Sequence, residues 1–258
     1  MDIILYFTGN CLHCAKLLEA KLGNVERIRL ESKLDIARTQ EKLDGAQRVG
    51  IILPVYAGTL PYMARELLKE FRFRDTQYLY AIATCAGSAL SIHYDIDQVV
   101  RKTSNRGLDY WHTLTYPSNF QTNMAPKDPE AVEGILNAVE ADITEMAQKV
   151  ASEVQVPVKS QKVLSRLAEW SLHLAVKKDR SNKFYADENC IGCGMCQKSC
   201  PAENIELIDQ KPTWSTHCEA CMACIGICPT RAIQYGTKTQ NWGRYLNPRV
   251  RKDELFVD

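Results

Sequence analysis

The run C-I-G-C-G-M-C-Q-K-S-C-P, from Cys190 to Pro201, is followed by C-E-A-C-M-A-C-I-G-I-C-P, from Cys218 to Pro229. Each copy reads C-x2-C-x2-C-x3-C-P, and the second is displaced from the first by 28 residues. Eight of the chain's 11 cysteines lie here. Three thiolates two residues apart can wrap one cube of iron and sulfide, and thiolate is the soft, charged ligand such cubes require. In runs of this kind the fourth cysteine serves the other cube. The spacing therefore assigns Cys190, Cys193, Cys196 and Cys228 to cluster one. Cluster two takes Cys218, Cys221, Cys224 and Cys200. Crossing the halves in this way couples folding to cluster binding.

The intervening residues agree with this reading. Gly192 and Gly194, with Ala220 and Ala223 in the second copy, keep bulk away so that backbone N–H groups approach sulfur. Pro201 and Pro229 lack an N–H and turn the chain away after the last ligand. Ile205 and Leu207, with Ile233 and Tyr235 at matching places, predict paired strands over the clusters. Disulfides would need an oxidising compartment, and zinc does not explain four cysteines and a proline repeated at fixed spacing. Two four-iron clusters imply about eight iron and eight sulfide per chain. In every ligand and both prolines the stretch resembles the bacterial-type two-cluster ferredoxins.

With 258 residues the chain has room for one large or two smaller domains. Its 32 basic and 31 acidic side chains give no support to bulk nucleic-acid binding. No apolar run approaches the length of a membrane span. Met1 to Phe7 is too short for a secretory signal, so a cytoplasmic location is expected.

Upstream of the cysteines, apolar runs alternate with helical patterns. Strands are expected at residues 3–8, 25–30, 49–56, 78–84 and 108–116, and helices at 14–22, 61–71 and 88–102. The alternation implies a doubly wound, five-stranded parallel α/β sheet. The clearest helix spans 131–150, with Val132, Ile135, Val139, Ile143, Met146 and Val150 on one stripe. Pro157 opens a helical connector, 157–182, whose Val163, Leu167, Trp170 and Leu174 repeat the spacing. The connector carries six basic and two acidic side chains, against four and six in residues 183–236. The expected division is 1–156, the connector 157–182, a small α+β cluster domain 183–236, and a tail 237–258 packed on the body through Trp242, Tyr245 and Pro248.

In doubly wound folds ligands sit beyond the carboxyl ends of the strands. Three loops qualify: Thr8-Gly9-Asn10-Cys11, the stretch from Pro54 through Tyr56 and Gly58 to Thr59, and Thr84-Cys85-Ala86-Gly87. The first leads into a helix and offers a hydroxyl and N–H groups to a phosphate. Here the whole chain resembles a fusion family, the EFR-type ferredoxins, in which a flavodoxin-like domain precedes a two-cluster ferredoxin domain. The resemblance rests on Y-F-T-G-N (Tyr6 to Asn10), L-P-V-Y-A-G-T-L-P (Leu53 to Pro61), Y-A-I-A-T (Tyr80 to Thr84), P-S-N-F (Pro117 to Phe120) and G-R-Y-L-N-P (Gly243 to Pro248). Likeness to flavodoxins implies FMN at the three loops, with Thr8, Asn10 and Cys11 at its phosphate. It also implies Tyr56 stacked on the ring, and Thr84 to Gly87 lining the other side. The sequence departs from that pattern in a first loop about two residues short. Cys11 stands where a hydroxyl residue is usual, and Cys85 where a tyrosine is.

Cys11-Leu12-His13-Cys14 also has the strand, C-x-x-C, helix layout of a glutaredoxin site, in which a helix N-terminus activates a thiol. His217 adjoins Cys218, whereas His93, His112 and His173 have no ligand partners at useful spacing. The leading expectation is an electron carrier with redox partner proteins. A flavin- or Cys11/Cys14-dependent reductase fed by its own clusters is the second reading. A partner-binding module with structural clusters is the third.

Overall fold

The computed structural model describes residues 1–56, 58–89, 91–121, 125–159 and 180–257. The connector helix expected around Val163, Leu167, Trp170 and Leu174, and His173 with it, lies outside the described residues.

The N-terminal part alternates strand and helix. In order they are β1 (Asp2–Tyr6), α1 (Gly9–Leu22), β2 (Val25–Arg29), α2 (Ile36–Asp44), β3 (Arg48–Pro54), α3 (Tyr62–Glu70), β4 (Tyr78–Cys85), α4 (Ile92–Ser104), β5 (Tyr110–Thr115) and α5 (Pro129–Ala151). All neighbouring strands are parallel, in the order β2-β1-β3-β4-β5. That is the flavodoxin-like doubly wound order, with its switch point between β1 and β3.

Strand alternation divides the apolar residues between two cores. Ile3, Leu5, Val49, Ile51, Leu53, Leu79 and Ala81 face α3 and α4, where Ala64, Leu68, Ile92, Ile96 and Val100 are buried. Ile4, Ile52, Tyr80, Ile82 and Leu114 face α1 and α5. The buried stripe of α5 uses Leu136 rather than Ile135, which is only partly covered. Asp128 caps α5 by accepting from the Ala131 N–H at 2.8 Å. Several expected boundaries move. Helix α1 starts at Gly9, five residues before Cys14, because Thr8 is its N-cap. Helix α4 starts at Ile92, not Ser88. Helix α2 is an addition, since it buries only Thr39 and Leu43 and leaves little apolar pattern.

The C-terminal part holds two small antiparallel pairs. Phe184–Ala186 (β6) pairs with Ile233–Tyr235 (β9), and Ile205–Ile208 (β7) pairs with Lys211–Trp214 (β8). Ile205 and Leu207 therefore pair within their own hairpin, and Ile233 and Tyr235 pair with the strand ahead of the first cysteine run. The tail binds both parts. Tyr245 Oη donates to Asn10 Oδ1 at 2.8 Å, and Lys16 meets Glu254 at 2.9 Å. The Val257 N–H donates to Lys198 O at 2.7 Å. Of the three tail residues expected to pack, Tyr245 is buried, Trp242 is half-buried and Pro248 is exposed.

His13 on α1 is 3% exposed, and its Nδ1 faces Tyr116 Oη at 3.2 Å. Burial pulls its pKa down to about 4; Glu140 opposes that shift, while Arg249 and Lys16 reinforce it. The folded chain thus binds the proton less well than the unfolded one. Stability should fall as pH drops from about 6.5 to about 4, by at most about 3 kcal/mol, and His13→Gln should flatten that slope in urea titrations. A β-carbon on Gly50 would clash with the buried Tyr80 ring, whereas one on Gly134 in α5 meets nothing within 4 Å. Gly50→Ala should cost about 1–3 kcal/mol by overpacking, and Gly134→Ala should add about 0.5–1 kcal/mol, both read as shifted urea midpoints.

Candidate cluster sites and sheet crevice

Two cavities lie within the cysteine repeats. One is ringed by Cys190, Cys193, Cys196 and Cys228, with Gly192, Gly194 and Leu207 between them. The other is ringed by Cys200, Cys218, Cys221 and Cys224, with Phe184, Ile205 and Trp214. Each cavity draws three cysteines from one repeat and one from the other, the division that the spacing implies. Among the described residues no three His, Cys, Asp or Glu side chains converge on a single metal ion. Four sulfurs spread around a cavity suit a cube, whose iron corners keep the thiolates apart.

The backbone around both cavities is alike. Gly192 and Gly194 have φ of 66° and 73°, and their counterparts Ala220 and Met222 have 50° and 60°. Met222, not Ala223, thus occupies the place of Gly194. In the second copy a left-handed conformation is imposed on residues with side chains, a strain that the surrounding ring must hold. The Asn204 N–H donates to Cys200 Sγ at 3.3 Å, and the Ala220 N–H to Cys218 Sγ at 3.4 Å. Burial pushes the Cys196 thiol up to about 11 and raises Cys200, Cys221 and Cys224 as well. As free thiols they would stay protonated at neutral pH, so ligation must release protons.

The cavities differ in exposure. Cys193 is exposed and Ile191 is 64% exposed, whereas their counterparts Cys221 and Glu219 are half-buried; Cys196 and Cys224 are buried alike. The second cavity faces the parallel sheet. Glu219 Oε1 accepts from the Met63 N–H at 2.9 Å at the start of α3, and Cys221 O accepts from Asn119 Nδ2 at 3.1 Å. On the same side, the Ser32 N–H donates to Pro201 O at 2.8 Å.

Between this seam and the carboxyl ends of the strands is a crevice. Thr8, Asn10, Pro54, Tyr56, Thr84 and Cys85 line it, and Phe120, Arg180, Glu219 and Ala220 cover it. The Tyr56 ring packs edge-on to Phe7 with centroids 6.4 Å apart. Its loop is closed by paired Tyr56–Thr59 backbone hydrogen bonds of 2.9 and 3.0 Å and by Thr59 Oγ1 donating to Asp95 Oδ2 at 2.6 Å. Gly58 makes that turn at φ 85° and does not line the crevice. Gly87 is exposed and accepts from Cys85 Sγ at 3.0 Å. Gly9 borders a smaller cavity shared with Asn247 and Leu255.

At the ring end the crevice mixes apolar and polar lining, is aromatic at Tyr56 and Phe120, and lies at the switch point, a lining compatible with a flavin ring. The phosphate end differs from what the resemblance implies. Asn10 already donates to Pro117 O at 3.1 Å and accepts from Tyr245 and Asn247. Cys11 does not reach the crevice. It is fully buried, with its thiol 3.5 and 3.4 Å from the Thr8 and Thr84 hydroxyls. What remains for a phosphate is the first turn of α1, whose N-cap Thr8 makes no side-chain capping bond, and Thr8 itself. Sequence reasoning missed Asn119, Glu219 and Arg180 at this site; their spacing carries no motif.

The thiol-exchange reading also meets the structure here. Cys11 and Cys14 are both 0% exposed, and burial raises both thiols. A helix N-terminus activates a thiol that reaches its mouth, and these two point into the core of α1 and α5.

Residues 189–233 match the family model of the 4Fe-4S dicluster domain. The chain is 40% identical over 63 residues to a subunit of the ion-translocating oxidoreductase complex of Methanosarcina acetivorans. It is 37% identical over 65 residues to the iron-sulfur subunit of the nitrate-inducible formate dehydrogenase of Escherichia coli. Each alignment covers 22% of this chain and 22% of the relative, so the chain spans about a fifth of the curated proteins it matches. General stress protein 14 of Treponema denticola, solved in complex with FMN, superposes on 57% of this chain and 97% of its own, with a TM-score of 0.41 and 11% identity. At that score the strand order, not the superposition, defines the fold. The C-terminal part is a 4Fe-4S dicluster ferredoxin domain, carried behind a flavodoxin-like sheet. Among the described residues no helix is long and apolar enough to cross a membrane.

Native alkylation should leave Cys11 and Cys14 unlabelled under conditions that modify an exposed thiol. Both should label once the chain is unfolded in denaturant, as peptide mass spectrometry would show.

Proposed function

We propose that the chain is an electron-transfer protein carrying two 4Fe-4S clusters, built as an EFR-type fusion of a flavodoxin-like domain, residues 1–156, with a ferredoxin domain, residues 183–236. Cluster one is held by Cys190, Cys193, Cys196 and Cys228, and cluster two by Cys218, Cys221, Cys224 and Cys200. The observation that carries this reading is the division of the eight cysteines between two cavities, three plus one in each. Cluster one, beside exposed Cys193 and Ile191, is the face offered to redox partner proteins. Cluster two lies against the sheet crevice, where Glu219 and Ala220 of its own loop form part of the wall.

The crevice is the place for FMN. Tyr56 and Phe120 would flank the ring, and Thr84 and Cys85 would line its edge. The α1 N-terminus with Thr8 would meet the phosphate. A bound flavin supplies the exchange between one-electron cluster steps and two-electron chemistry. The protein's own part is to hold the crevice and cluster two together, to which the Met63–Glu219 and Asn119–Cys221 hydrogen bonds contribute. The packed, raised thiols of Cys11 and Cys14 favour this reading over a dithiol reductase.

Crossed ligation makes Cys200→Ala a discriminating variant. In anaerobically purified protein it should lose the paramagnetically shifted NMR signals of Cys218, Cys221 and Cys224 and keep those of Cys190, Cys193 and Cys196. The opposite loss would overturn the assignment. Acid release from the same preparation should yield FMN by fluorescence; a brown protein that releases none would restrict the function to the clusters.

A further inference from the structure

Two buried side-chain donors near the second cavity have no protein acceptor among the described residues: the Tyr56 hydroxyl and the Trp214 indole N–H. Such groups are uncommon in folded chains, because an orphaned donor forfeits its hydration without return. Trp214 lines the second cavity itself and is stacked on Phe184, with centroids 5.7 Å apart and planes at 19°. Its indole orientation is therefore fixed by a neighbour that borders the same cavity. Tyr56 approaches from the opposite side, out of the flavodoxin-like sheet, and shares the crevice wall with Glu219 and Ala220. The charges that bear on its phenol are those of Cys221, Glu219, Cys11 and Cys218.

Two acceptors at this seam already hold donors of their own. Cys221 O is taken by Asn119, and Glu219 Oε1 by the Met63 N–H. An assembled cube would add sulfur acceptors beside Trp214 in the cavity wall and behind Glu219, which borders both this cavity and the Tyr56 crevice. Around the first cavity none of the orphaned donors among the described residues lines the wall, and its Thr230 hydroxyl faces Cys228 Sγ at 3.7 Å; the orphaned Arg244 Nε stands behind it, on a guanidinium that feels the Cys228 charge and is otherwise held by Arg231 O and Ile233 O.

We propose that the Tyr56 hydroxyl and the Trp214 indole N–H donate hydrogen bonds to sulfur of cluster two, so that the sheet domain helps to set that cluster's reduction potential. This rests on the two-cluster reading above. A donor on sulfur favours the more negative, reduced cube and raises its potential. Both donors serve cluster two, and neither lines the first cavity. One of the two comes from a different domain, so cluster two registers whether the crevice is seated against it. Tyr56 acts here as a donor to the cofactor and, by its ring, as part of the crevice wall.

The test is a potentiometric titration of the anaerobic full-length chain, with each cluster followed through the NMR shifts of its own cysteine β-protons. Tyr56→Phe and Trp214→Phe should each lower the midpoint of cluster two and leave that of cluster one in place, and the double variant should lower it further. Tyr80→Phe is the control. It also removes a buried, orphaned hydroxyl, but one set among Asp2, Cys14 and Arg48 inside the sheet domain, and it should move neither midpoint. If cluster two is unmoved in both single variants, or if Tyr80→Phe shifts it as much, the donor assignment is wrong and the two-cluster reading stands. If the unmodified chain holds no cubes, both fall.

Discussion

Each C-terminal cavity is closed only when the two cysteine repeats meet, because three of its thiols come from one run and the fourth from the other. Neither repeat can complete a ring alone. Around the second ring Ala220 and Met222 take the left-handed backbone that Gly192 and Gly194 take around the first. The shared closure explains why so small a unit, with two short antiparallel pairs and two short helices, has a defined interior. Its apolar cluster is largely the cavity lining itself, with Cys196, Cys224, Ile205, Met222 and Ile233 among its buried members.

The second consequence is placement. The pseudo-symmetric repeats are not in symmetric surroundings. One cavity opens toward solvent, while the other lies against the carboxyl edge of a parallel sheet, where doubly wound folds bind ligands. The joint combines backbone groups, an N–H at the start of α3 and carbonyls at Cys221 and Pro201, with side chains: Ser32 Oγ donates to Glu203 Oε2 at 3.0 Å, Lys33 pairs with Glu203, and Arg29 donates to Ser199 O at 3.4 Å. The tail adds a brace, since Tyr245, Asn247 and Leu255 reach the first turn of α1 while the Val257 N–H reaches back to Lys198.

What the sequence revealed follows from the physics of each element. Strands β1, β3 and β4 are covered on both faces and read as continuous apolar runs; β4 is buried along all 8 residues. The cysteine pattern is legible because a cube dictates ligand spacing locally. Helix α2 left little trace, because only Thr39 and Leu43 are buried. The start of α1 was hidden because Thr8, Gly9 and Asn10 read as a loop, although the first of them is an N-cap. The strand partners of Ile205 and Ile233 depend on how the repeats fold back, which spacing does not encode. The crevice wall contributed by Glu219 and Arg180 was equally unreadable, being a contact between parts of the chain far apart in sequence. Cys11 shows the converse: its place in the loop pointed to a ligand, and its packing between Thr8 and Thr84 makes it core.

Native mass spectrometry of the chain isolated without oxygen tests the central claim most directly. The account predicts one dominant species, with the mass of the polypeptide plus two four-iron, four-sulfide units. A chain carrying a single such unit, or zinc in place of both, would contradict it.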